Sequence, residues 1–335
     1  MIGALSVAFL VQAAGGLTPG PADLYVRVVD VGPGLCTITE TPNGHYMIYD
    51  AGHWQSSQCL AAAREIVDGD EVDLLVISHS DSDHLGEADE LLAAFNVRQV
   101  IRTGTVRTTT TWENVHEAVA REVRDGASVM NLQSVPLIPG TTIALGDATV
   151  TLIAGWGAWT GSGLTTSERR NVVSVVVRLD YAGASILYTG DTVGRRITDD
   201  ASACKDAEAF MVANHDAGTV SLKADVIIAP HHGADNASSE CFIRAVDPDF
   251  VVFSAGHEYQ HPRRNAAERY HAQGVPWTRM YRTDLGDDES ADGNEEWARG
   301  RAAGCTDRRG DDDVEIVIRA SGAVEVAYRG SASGC

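Results

Sequence analysis

Apolar and polar residues follow two periods along this chain. Leu74-Leu75-Val76-Ile77 is an unbroken apolar run of strand length, the pattern of a strand covered on both faces. A polar stretch follows, and Glu87 to Phe95 then spaces its apolar residues at helical intervals, so a loop leads from strand into helix. By the same reading, Leu24 to Val31 and Cys36 to Thr41 are strands. Pro42-Asn43-Gly44 is a turn, and Tyr46 to Tyr49 is a third strand. Cys59 to Val67 and Trp112 to Asp125 read as helices, and Val97 to Arg102 as a parallel-type strand between them. Alternating strands fill Val135 to Ile153, and the Gly- and Trp-rich stretch from Gly155 to Gly163 is a loop. Val172 to Leu179 and Ser185 to Tyr188 form a hairpin across Tyr181-Ala182-Gly183. Asp225 to Ile228 and Phe250 to Ser254 are short buried strands. The series predicts an α/β fold in four layers, αββα, with two mixed sheets face to face and helices outside.

Composition narrows this picture. The 335 residues are 44% hydrophobic, enough for a substantial core. Residues 24–330 read as one domain, behind a Gly- and Pro-rich linker at 14–23 and interrupted by an acidic insert at 286–313. The formal charge of −21 disfavours unselective binding to nucleic acid or anionic membranes. No stretch approaches the ~20 apolar residues of a membrane span. The apolar run Ile2 to Leu10 followed by Val11-Gln12-Ala13 has the pattern of an export signal, although without a charged n-region. Export to the periplasm or beyond is the expectation, with a cytoplasmic location as the alternative. Cys36, Cys59, Cys204, Cys241, Cys305 and Cys335 are even in number and form no C-x-x-C pair. That usage fits disulfides in an oxidising compartment, with 15 possible connectivities left open.

The densest chemistry follows the Leu74 strand. His79-Ser80-Asp81-Ser82-Asp83-His84 puts four metal-capable side chains within six residues, at a strand end that can aim them at one point. Imidazole nitrogens and carboxylate oxygens together suit Zn, Mn or Fe. A loop whose His and Asp residues only cap the next helix is the plainer alternative, but no cap needs two of each.

This stretch resembles the H-x-H-x-D-H signature of the metallo-β-lactamase superfamily, with Asp81 where the second His usually stands. The H-x-D-x-D-H form resembles that of the nuclease-like domain of ComEC-type competence proteins. Further pieces match in order: Val29-Asp30-Val31-Gly32-Pro33-Gly34, Ile48-Tyr49-Asp50-Ala51-Gly52, Leu187-Tyr188-Thr189-Gly190-Asp191, Ala229-Pro230-His231-His232-Gly233 and Gln260-His261-Pro262. The resemblance covers residues 25–328, nearly the whole chain.

The resemblance implies a hydrolase with two divalent ions, Zn or Mn. One ion would take His79, Asp81 and a third group; the other would take Asp83, His84 and a late histidine. Asp191 would bridge them. Residues 154–178 contain no histidine, so Asn171 stands in the third-motif position and could ligate through its carbonyl oxygen. More oxygens and fewer imidazoles tilt the metal toward manganese. His231 and His232 are adjacent, so on an extended backbone they point to opposite sides and only one ligates. His261 is placed to reach substrate, and Asp83 is a candidate proton acceptor. Asp30 and Asp50 orient imidazoles or hold the loop. Arg170, Arg263 and Arg264, from the pairs Arg169-Arg170 and Arg263-Arg264, are the candidate substrate contacts, since guanidinium forks suit phosphate oxygens. The expected activity is hydrolysis of a phosphodiester, in nucleic acid or a nucleotide, by metal-activated hydroxide. A lactone, ester or β-lactam hydrolase and a non-catalytic metal-binding protein are the alternatives.

Overall fold

Strands form where the apolar runs lie, and the helices fill the gaps between them. The computed structural model describes residues 16–131, 138–155, 163–200, 202–284 and 313–329. Its first part holds β1 (Leu24–Val28), β2 (Thr37–Glu40), β3 (Tyr46–Tyr49), α1 (Gln58–Ile66), β4 (Glu71–Ile77), α2 (Ala88–Ala94), β5 (Asn96–Arg102), α3 (Thr110–Asp125) and β6 (Ser128–Asn131). There follow β7 (Thr142–Leu145), β8 (Ala148–Ala154), α4 (Thr166–Asn171), β9 (Val176–Tyr181), β10 (Ala184–Tyr188), α5 (Asp206–Asp216) and β11 (Val226–Ile228). The last elements are α6 (Glu240–Val246), β12 (Phe250–Phe253), α7 (Arg264–Ala272), β13 (Met280–Arg282), β14 (Val314–Ile318) and β15 (Val324–Tyr328).

The strands build two mixed sheets, one in the order β15-β14-β1-β2-β3-β4-β5-β6 and the other β13-β12-β11-β10-β9-β8-β7. In the first sheet β3, β4, β5 and β6 run parallel, and in the second β10, β11, β12 and β13 do. Side-chain alternation assigns the layers. Leu74 and Val76 of β4 enter the core between the sheets, while Leu75 and Ile77 pack beneath α1, α2 and α3. In the other sheet Ile186 and Tyr188 of β10 face inward, and Leu187 packs with Met211 of α5 and Phe242 of α6. Each such aliphatic side chain contributes roughly 1.5–3 kcal/mol when fully buried. The result is the four-layer αββα sandwich that the pattern predicts.

The second sheet departs from the expected boundaries. Residues 172–175 were expected to begin a strand, but β9 starts at Val176. The cause is a capping box before them. Thr165 accepts from Glu168 N while the Glu168 carboxylate accepts from Thr165 N, which starts the short helix α4. The alternating stretch Val135 to Ile153 is β7 and β8 around a two-residue turn, with 132–137 outside the described residues. The expected export signal, the Trp156 and Trp159 loop, most of the acidic insert, Cys305 and Cys335 also lie outside them. Cys36–Cys59 and Cys204–Cys241 are disulfides. Among the described residues no helix is long and apolar enough to cross a membrane.

Candidate metal centre

The parallel strands of both sheets end at one edge of the sandwich, and the chemistry follows their carboxyl ends. Asp50 follows β3, Ser78-His79 follows β4, Asp191 follows β10, His231-His232 follows β11 and Ser254 follows β12. Open α/β sheets place ligands at such ends. Gly190 lets the two sheets meet. Its φ is +52°, and an added Cβ would lie 2.7 Å from Ser78 Cβ and 2.9 Å from Ser174 Cβ. Any side chain there would force the two metal-motif loops apart.

Asp191 stands at the centre. Its Oδ1 lies 3.0 Å from His84 Nε2 and 3.4 Å from His232 Nε2. Its Oδ2 lies 3.8 Å from both His79 Nε2 and His231 Nε2. One carboxylate therefore faces a pair of imidazoles with each oxygen. Asp83 joins the Oδ1 side, 3.8 Å from His232 Nε2, and the donor atoms of Asp83, His84, Asp191 and His232 all lie within 4.8 Å of one another. Asp81 joins the Oδ2 side, its Oδ2 3.9 Å from His79 Nε2.

The hydrogen bonds behind these rings assign their protons. His84 Nδ1 donates to Asp50 Oδ2 at 2.7 Å, and His232 Nδ1 donates to the Ser254 carbonyl at 2.7 Å. His231 Nδ1 faces Asn236 Oδ1 at 2.7 Å, an orientation set by the bond from Asn236 Nδ2 to Glu168 Oε1. Ser78 Oγ gives its proton to Asp50 Oδ2, so it accepts from His79 Nδ1 at 3.0 Å. All four imidazoles thus hold Nδ1 in a hydrogen bond and turn Nε2 toward Asp191. His84 Nε2 and His232 Nε2 are only 3.1 Å apart. Two ring nitrogens at that distance beside a carboxylate require positive charge.

Burial opposes charge on these groups, but their neighbours outweigh it at several. Burial pushes His84 down, yet Asp191 and Asp50 hold it well above the ordinary imidazole range, and Asp191 and Asp83 do the same for His232 less strongly. Burial raises Asp191, but His232, His84 and His231 hold it well below the ordinary carboxylate range. His79 behaves differently: burial and then the charge of His84 lower it. A proton therefore does not satisfy His79, whose buried Nε2 has no hydrogen-bond partner; the buried Asn171 Oδ1 has none either. Such donor atoms suit a divalent cation beside Asp191.

The structure corrects one expectation and qualifies others. His231 and His232 do not lie on extended backbone. Both occupy the left-handed region, at φ 51° and 55°, in a tight turn over Pro230–Gly233. That turn sends both rings to the centre, one to each oxygen of Asp191. Asn171 reaches the centre too, but its amide nitrogen, not its carbonyl oxygen, faces His231 Nε2 at 3.0 Å. A lone pair there attracts the N–H; ligation through oxygen requires the amide to turn over. Asp30 accepts from Gly32 N and takes an N–H bond to Asp313, which fixes the turn beside the site. His261 lies at the rim, its ring 6.0 Å from that of His231 and 6.4 Å from that of His232. Burial and those two neighbours push it down to about 3, so it is neutral at pH 7.

The arginines divide. Arg170 Nε bonds Asp81 Oδ1 at 2.6 Å. Arg263 bonds Gln260 at 3.1 Å and lies close enough to His261 to depress its pKa. Arg264 pairs with Glu268 one turn along α7 at 3.1 Å, on the exposed face. Arg195 is buried on the Asp235 and Asp199 carbonyls, a structural role. Sequence reasoning missed Arg107, which bonds Asp81 Oδ1 at 2.6 Å from the loop after β5. Its position past a parallel strand was the available signal, since such loops carry function. Asn236 and Glu168 were also missed, and only the folded chain brings them to His231.

The fold agrees with a family comparison. Residues 29–257 match the family model of the metallo-beta-lactamase superfamily, and the chain belongs to that superfamily. It is 27% identical over 270 residues to Competence protein ComA of Neisseria gonorrhoeae, covering 78% of this chain and 31% of that protein. It is 25% identical over 218 residues to ComE operon protein 3 of Bacillus subtilis, covering 64% of this chain and 24% of that protein. The chain thus spans less than a third of the length of these relatives. A solved mutant of the CmlA beta-hydroxylase overlaps 79% of this chain and 53% of its own, with 13% identity and a TM-score of 0.45.

Proposed function

We propose that this chain is a metal-dependent phosphodiesterase or nuclease that uses two divalent ions, Zn or Mn. The observation that carries the reading is the distribution of four imidazole Nε2 atoms over the two oxygens of Asp191. Divalent cations bound there would supply hydroxide near neutral pH and polarise the electrophilic centre. His79, Asp81, His231 and Asn171 would hold the ion on the Oδ2 side, and Asp83, His84 and His232 the ion on the Oδ1 side. Asp83 keeps 30% of its side chain exposed and is open to the reacting face, where His232 and His84 outweigh burial and hold its carboxyl well below the ordinary carboxylate range. Neutral His261 at the rim can donate a hydrogen bond to a substrate oxygen. Arg170 and Arg263 add cations to that rim. The relatives named for competence support nucleic acid as the substrate. The two disulfides support an oxidising compartment.

The net charge of −21 favours the second reading, a neutral lactone, ester or β-lactam as substrate. One experiment separates the two. The protein is loaded with manganese or zinc, its metal content is measured by plasma spectrometry, and it is assayed on bis(p-nitrophenyl) phosphate, single-stranded DNA, a lactone and a chromogenic β-lactam. About two metals per chain and turnover of the phosphodiesters are expected. Metal content near zero in folded protein refutes the hydrolase, and turnover of the neutral substrates alone selects the second reading.

A further inference from the structure

We propose that Arg107, with Arg170, grips the phosphate of the substrate, an inference that rests on the phosphodiester reading and adds a binding residue to it. Arg107 Nη1 and Arg170 Nε both donate to the same oxygen, Asp81 Oδ1, at 2.6 Å each. The remaining Arg170 contacts are neutral: Nη1 to the Thr166 carbonyl at 3.1 Å and Nη2 to Ser167 Oγ at 3.4 Å. Among the described residues Asp81 is the one carboxylate that bonds these two guanidiniums, which leaves a surplus positive charge at this point. In a chain of net charge −21 that surplus runs against the average. Two like charges converging on one oxygen repel, and a second anion between them relieves the repulsion.

The position fits a phosphate. The side chains of Arg107 and Arg170 keep 27% and 21% of their surface exposed, so a ligand can reach both. Asp81 Oδ2 is 3.9 Å from His79 Nε2, which is 3.8 Å from Asp191 Oδ2. The grip thus adjoins the Oδ2 side of the candidate metal centre. A phosphodiester has two non-bridging oxygens, so one can face the centre while the other meets the guanidinium N–H groups. A lactone or ester has no second anionic oxygen to offer. The two arginines also come from different parts of the fold, Arg107 from the loop after β5 and Arg170 from the last turn of α4. A ligand held by both would bridge the ends of the two sheets.

The test compares wild type, Arg107→Gln and Arg107→Lys after manganese loading. KM and kcat are measured on bis(p-nitrophenyl) phosphate, inorganic phosphate binding is measured by calorimetry, and metal content and circular dichroism are recorded for each. In Arg107→Gln a rise in KM of roughly tenfold or more is expected, with a parallel loss of phosphate affinity and unchanged metal content. Arg107→Lys keeps the charge and loses the fork, so it should recover part of both. Unchanged KM and phosphate affinity in a folded Arg107→Gln would reduce the pair to a staple on Asp81 and overturn the proposal. Loss of metal in that variant would overturn it as well, since Arg107 would then act through Asp81. A wild-type protein that neither cleaves the phosphodiester nor binds phosphate refutes the underlying reading itself, before any variant is made.

Discussion

At the scale of single residues, Asp50 and Asp191 divide the work of one centre. Asp191 meets four imidazoles, whereas Asp50 lies behind them, fully buried and in the left-handed region at φ 59°. Asp50 accepts from Ser78 N at 2.6 Å, Ser78 Oγ at 2.7 Å and His84 Nδ1 at 2.7 Å. An asparagine there would turn an N–H toward one of these three donors. Asp50→Asn should therefore weaken metal affinity or activity by about 10–100-fold. Asp191→Ala should remove metal from both sides, because it deletes the one anion common to them. Titration of each variant with manganese, followed by metal content, checks both expectations. Wild-type loading in Asp191→Ala would refute its bridging role. The candidate ligands from His79 to His84 were legible as a cluster because six residues of chain cannot carry them far apart. The shared use of His231 and His232 was not, since it depends on two left-handed residues that a sequence pattern does not reveal.

Among the elements, α4 has influence beyond its six residues. The box Thr165-x-x-Glu168 starts it, its last turn presents Arg170 and Asn171, and Glu168 also holds Asn236, which sets the proton on His231. Removing the glutamate breaks the cap and frees that chain of bonds. Glu168→Ala should cost roughly 0.5–1.5 kcal/mol of stability for each hydrogen bond lost and weaken metal on the His231 side. Glu168→Gln keeps one acceptor oxygen, enough for one of the two bonds, and should be milder. Urea unfolding with and without metal measures both. Equal metal affinity in wild type and Glu168→Ala would confine Glu168 to capping. The box was present in the sequence, yet the hairpin reading of 172–179 passed over it because Val172-Val173 and Val175-Val176-Val177 look like strand throughout. Short α6 and the weakly patterned α5 gave little local signal, and their places depend on packing against β10, β11 and β12.

Across the whole molecule, each disulfide ties a different region. Cys36–Cys59 joins the start of β2 to α1, and Cys204–Cys241 joins the segment before α5 to α6. They close loops of 23 and 37 residues, for which the chain-entropy treatment gives roughly 3–4 kcal/mol each. Replacing both cysteines of either pair with serine should lower the midpoint of thermal unfolding, and dithiothreitol should do the same to wild type. A midpoint that ignores both treatments would show that the folded state does not depend on these bonds.

Local pattern determined the layers of this protein. Apolar runs of strand length, with neighbouring residues facing opposite ways, demand cover on both faces, and two such sheets with helices outside satisfy that demand. The ordered metal motifs likewise placed His79, Asp83, His84, Asp191 and the late histidines at strand ends, since each motif lies a residue or a few beyond an apolar run. What only the tertiary structure decided is which atoms meet. The assignment of two imidazoles to each oxygen of Asp191, the link from Glu168 through Asn236 to His231, and the convergence of Arg107 and Arg170 on Asp81 all join residues 5 to 112 positions apart. Hydrogen bonds act over about 3 Å. Partners so distant in sequence become neighbours only when the carboxyl ends of two sheets are brought to one edge.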